Sequence, residues 1–126
     1  MPNWEPNWDD VEWDHGAASE AAHELDRAAA FVEESAHRRR QVADEARAEW
    51  RGRYREEFDG DLDRMLHRAA ELAAEFRAKA SAIRSADRQA YEEQRRRERE
   101  RERWRREKEE EEEEKRRSLL QRQGLV

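Results

Sequence analysis

The chain has 126 residues, 48% of them charged and 35% hydrophobic, with a mean hydropathy of -1.53. That composition limits it to one domain with a thin core. Cysteine is absent, so disulfide staples and thiolate metal sites are excluded. No apolar run is long enough to span a bilayer and no charged-then-apolar signal peptide opens the chain, so any export is expected to need no cleaved signal. With four glycines and two prolines, turns are scarce, which argues against hairpin-built sheets; Ala, Glu and Arg dominate and favour helix. The net charge of -6 is uneven: -8 over residues 1–50, -1 over 51–94 and +3 over 95–126. An acidic front and a basic rear attract each other if the chain folds back.

Residues 1–13 form a tryptophan-rich arm. Pro2-Asn3-Trp4-Glu5 is followed by Pro6-Asn7-Trp8-Asp9, with Trp13 beyond. Both prolines lie here, so the arm reads as extended or as the lead into a helix, with Asn7 or Asp14 as the N-cap. Trp4, Trp8 and Trp13 are the best candidates for a binding site. They either anchor in a partner's groove or fold back on the bundle.

From residue 14 a helical period takes over. Ala18, Ala22, Leu25, Ala29, Val32, Ala36, Ala43, Ala46 and Trp50 recur at steps of three and four, with Arg39 in the one polar gap. A second stripe holds Phe58, Leu62, Met65, Ala69, Leu72, Phe76, Lys79, Ile83, Ala86 and Ala90. This is a heptad pattern with Lys79 its single polar member, and it predicts a helix packed along a narrow seam.

Between the stripes lies Trp50-Arg51-Gly52. Glycine can take the left-handed conformation that reverses a chain, and the Trp50 ring can cover the end of the seam. This is the favoured turn. Its rivals are a turn at Asp59-Gly60-Asp61 and one unbroken helix. The expectation is an all-α antiparallel hairpin over residues 14–94, with the acidic arm set against Arg88 and Arg95-Arg96-Arg97. Two helices bury a single Ala-rich seam, so the hairpin is expected to pair into a four-helix bundle, with itself or with a related hairpin.

These residues resemble the WXG family of small type VII secretion substrates, related to the early secreted antigens of actinobacteria. The resemblance covers residues 14–94 and rests on Trp50-Arg51-Gly52 between two amphipathic stripes, with Phe58 six residues beyond the glycine. It implies export of a folded dimer by an ATPase-driven machine, and service as partner or chaperone of an effector. The family's export signal is Tyr-x-x-x-Asp/Glu after the second helix. Tyr91 is suitably placed, but its fourth follower is Arg95, so a partner carries the signal or the protein stays inside as an adapter.

The remainder, 95–126, is a highly charged extension. From Glu92 to Arg117 the only apolar residue is Trp104, and Glu109–Glu114 are consecutive glutamates. The expectation is a solvated helix that frays, with disorder as the rival. Run from Arg53 to Arg117, such a helix spans roughly 95–100 Å. Glutamates interleaved with Arg95–Arg106 argue against nucleic acid as a partner. Leu119, Leu120, Leu125 and Val126 offer a terminal hook. Asp59-Gly60-Asp61-Leu62-Asp63 imitates the start of a calcium loop but has Arg64 where glycine belongs. His15, His23, His37 and His67 lack a further ligand cluster. No cofactor, metal or catalytic arrangement is expected, and the chain reads as a non-enzyme.

Overall fold

The computed structural model describes residues 2–124, so Leu125 and Val126 of the suggested hook lie outside the described residues. The fold is all-α. Helix α1 runs His15–Arg47 and helix α2 runs Arg53–Arg122, with no strand among the described residues. By compactness the chain divides into two units. One is Asp14–Asp87; the other joins the arm, to Trp13, with α2 from Arg88 onward.

The unit Asp14–Asp87 is an antiparallel helical hairpin. Asp14 begins α1 as its N-cap, its extended backbone (φ -97°) letting Oδ1 accept from Ala17 N at 2.9 Å. Asn7 takes no part in that cap. The chain reverses between Arg47 and Arg53, where Gly52 holds φ 110°, a value that side chains with a Cβ rarely adopt. Trp50 N donates to Arg47 O (3.2 Å), while Arg55 N and Glu56 N donate to Gly52 O at 3.2 and 3.4 Å. Side chains brace the same bend. Arg47 donates to Asp59 and Asp44, each at 2.6 Å, Arg55 Nη1 donates to Trp50 O at 2.7 Å, and the Trp50 and Phe58 rings lie 5.3 Å apart. Two acids beside Arg47 raise its pKa, hydrogen bonding to Asp44 first and to Asp59 next. Gly60 sits inside α2, which disposes of the Asp-Gly turn.

The seam of this unit is made of alanine. Ala22, Ala29 and Ala80 are fully buried and Ala73 almost so, with Ala18, Ala43 and Leu62 completing the buried set. In each helix the two most deeply buried alanines are seven residues apart, the heptad spacing that keeps one line facing a neighbour. Leu62 of the expected second stripe is buried, but farther along the line moves by one residue: Ala73 and Ala80 occupy the centre, where Leu72 and Lys79 were expected, and Lys79 is exposed. The reason is size. The smallest side chains permit the closest backbone approach, and Leu25, Val32, Phe58, Met65, Leu72, Phe76 and Ile83 are pushed to half-buried flanks. Ion pairs join the rims: Asp26 with Arg84 (2.6 Å) and Glu33 with Arg77, while His15 Nδ1 lies 2.5 Å from Asp87 Oδ1.

In the other unit, α2 continues without a break to Arg122 and is helical where disorder was the rival reading. Pairs three or four residues apart support it, among them Arg96 and Arg97 with Glu93, Arg103 with Glu107 and Arg105 with Glu102. Gly124, at φ 69°, ends the helix, and its N–H donates to Gln121 O.

Candidate functional site

Two surfaces stand out, one in each unit. In the hairpin, an open apolar depression of about 590 Å³ lies between the helices near the bend, lined by Val42, Ala43, Ala46, Phe58, Leu62 and Met65. Arg38, Arg39 and Asp61 stand at its rim. A second depression of about 440 Å³ lies farther along, lined by Phe31, Val32, Ala36, Met65, Ala69 and Leu72, with Arg39 and Arg68. Phe31 and Val42 are each 65% exposed, an unusual state for large apolar side chains on a helix face. Arg39 Nη1 donates to Met65 Sδ (3.4 Å), so its guanidinium lies against a side chain that lines both depressions. These grooves bring together Val32, Phe58, Leu62, Met65 and Leu72 of the expected seam. Leu25, Phe76 and Ile83 do not line them.

The second surface is occupied by the arm. Residues 2–13 carry no helix or strand and lie along α2. Trp4 Nε1 donates to Glu107 Oε2 (2.6 Å), the Arg103 guanidinium stacks 4.3 Å over the Trp4 ring, and Trp104 Nε1 donates to Trp4 O (3.0 Å). Trp8 meets Trp104 edge to face at 5.3 Å, and Pro6 between the two arm tryptophans is buried. Arg101 binds the arm three ways, to Asn7 O (2.9 Å), Asp9 O (2.7 Å) and the Asp10 carboxylate (3.0 Å). Its side chain is only 14% exposed. Arg97 adds a bond to Asp9 O, and Gln94 closes the set, accepting from Val11 N and donating to Asp10. Gln94 and Arg101 together lower the pKa of Asp10, and Arg96 and Arg97 pull that of Glu93 down to about 2.

The arm's register differs from the expected mirror image. Among the described residues, hydrogen bonds join it to Gln94, Arg97, Arg101, Trp104 and Glu107, a stretch of α2 that runs farther toward the C-terminus than the expected Arg88 and Arg95–Arg97. From Trp4 to Val11 the arm advances seven residues while its partners run thirteen, from Glu107 back to Gln94. An extended chain rises about 3.3 Å per residue and a helix 1.5 Å, so an arm laid on a helix passes nearly two residues for each of its own. Gln94, Arg101 and Trp104 were not singled out from the sequence as a site. Trp104 carried the signal: it is the one apolar residue from Glu92 to Arg117 and needs an apolar neighbour, which the tryptophans of the arm supply.

Tyr91 lies outside both sets. Arg95 stacks on its ring at 4.6 Å and donates to its hydroxyl at 2.8 Å, so the fourth residue after Tyr91 is bound to the tyrosine itself. The calcium-like stretch is helical, with Asp59 paired to Arg47 and Asp61 to Arg64. No group of three or more His, Asp or Glu side chains able to hold a metal occurs among the described residues. None of their helices is long and apolar enough to cross a membrane. The chain matches no protein-family model, no curated protein and no solved structure.

Proposed function

We propose that this protein works by pairing its open seam with a second helical hairpin, itself or a related chain, and that it does so as a WXG-like, type VII secretion-associated substrate or dimer partner without catalysis. The observation that carries the reading is the unfinished core. The buried side chains of the hairpin are six alanines and one leucine, while Phe31, Val32, Val42, Phe58, Met65 and Leu72 line open depressions. At roughly 25 cal/mol per Å² of apolar surface, covering those side chains contributes far more than the alanines already buried. A hairpin laid across the seam supplies the cover and builds a four-helix bundle.

The Trp50–Phe58 contact beside Gly52 supports the WXG likeness, since it gives the motif's tryptophan and the following aromatic one job at the bend. The arginine tract is a poor phosphate surface. Arg96, Arg97, Arg101, Arg103 and Arg105 are already engaged by acids, arm carbonyls or rings.

Sedimentation tests the pairing. A dimer, or a complex with a related hairpin, is expected, and Val42→Glu or Met65→Glu should weaken it at least tenfold. A monomer that binds no hairpin would overturn the reading. Recovery from culture medium that depends on the secretion ATPase tests the export half. The Arg95–Tyr91 contact favours a second reading, an adapter that stays inside the cell, which strictly retained but still pairing protein would establish.

A further inference from the structure

The arm is held in a way that a mere tether would not need. Four of its bonds from α2 go to main-chain carbonyls: Arg101 to Asn7 and Asp9, Arg97 to Asp9, and Trp104 to Trp4. Contacts of that kind recognise an extended backbone, whatever its side chains. Specificity comes from three further features: Trp4 between Arg103 and Glu107, Trp8 packed perpendicular to Trp104, and the Asp10 carboxylate on Arg101 and Gln94. Pro2 and Pro6 hold the segment out of a helix before it binds, which lowers the entropy lost on docking. Trp8 remains 46% exposed, so the seat grips a surface strip that can leave without unpacking a core.

We propose that the face of α2 from Gln94 to Glu107 is a peptide-binding surface for extended, acidic, tryptophan-bearing segments, filled in cis by the chain's own arm, which a partner protein's segment of the same chemistry displaces. Of the tandem repeat the seat reads the two tryptophans, and the carboxylate it binds is Asp10, just beyond the second copy. Arg101 positions the backbone, Trp104 supplies the ring platform and its indole donor, and Arg103 covers the first tryptophan. The surface lies wholly in the second unit and stands independently of pairing through the seam.

The test uses the full-length protein and a fluorescein-labelled synthetic peptide of residues 2–13, followed by anisotropy at low ionic strength. The wild-type chain should bind weakly, because its own arm competes. Trp4→Ala/Trp8→Ala loosens the resident arm and should tighten peptide binding at least tenfold, with Trp8→Ala alone giving a smaller gain. Adding Arg101→Gln or Trp104→Ala to the double variant should abolish binding while circular dichroism shows the same helix content. Absence of binding to the arm-loosened protein would overturn the proposal. Equal binding to every variant would overturn it too, since that is adsorption by the peptide's tryptophans alone.

Discussion

Gly52 shows how one residue decides where a helical chain turns. Its φ of 110° lies where L-residues are strained, yet a Cβ built there meets nothing within 4 Å. The cost of replacing it is therefore backbone strain without a clash. Gly52→Val is expected to lower the unfolding free energy by about 1–2 kcal/mol, read from urea denaturation. Unchanged stability would mean that the bend is held by Arg47, Asp59 and the Trp50–Phe58 contact alone.

Charge acts on the same scale at the arm. The Asp10 pKa is lowered by Gln94 and Arg101, with Arg97 also facing it, and that of Glu93 is lowered from 4.5 to about 2 by Arg96 and Arg97. A carboxylate whose folded pKa is depressed contributes stability that is fully present above its unfolded value and lost as pH falls through the folded one. The arm's docking should therefore be insensitive to pH near neutrality and weaken at acid pH, as the Asp10 carboxylate is protonated at its lowered pKa. Tryptophan fluorescence should report its release there, and Asp10→Asn should weaken docking at neutral pH.

At the scale of the element, each helix is set by a different balance. In α1 the period of small apolar residues and the Asp14 cap agree, so its start follows from local chemistry. In α2 the heptads carry the helix through Asp87, and beyond it charged pairs at three and four residues do so with almost no apolar help. The alanine seam is the sharper case. Ala80→Leu forces a branched side chain into the closest approach of two backbones and should cost about 1–3 kcal/mol. Ala78→Leu, two residues away and exposed, should be nearly neutral. Comparing the two melting curves separates packing from helix propensity, because both changes exchange the same residues.

At the scale of the whole molecule, the imbalance is between what is buried and what is left out. The larger apolar side chains of the hairpin flank the seam and line open grooves, the surface on which the proposed pairing rests. The oligomeric state should accordingly respond to Val42→Glu with little change in the helix content of the isolated chain, because Val42 is largely exposed within it. Loss of helix on that substitution would place Val42 in the chain's own core.

The sequence by itself determined the helical class, the two stripes and a glycine suited to reverse the chain, because periodicity and backbone freedom are local properties that residue order records directly. Tertiary structure decided the rest. Which line of each stripe lies innermost depends on how closely two backbones approach, and that put Ala73 and Ala80 ahead of Leu72 and Lys79. Where the arm docks depends on matching an extended rise to a helical one, which carried Trp4 to Trp104 and Glu107 and Asp10 to Arg101. Neither distance exists along the chain; both arise only when one segment is laid against another.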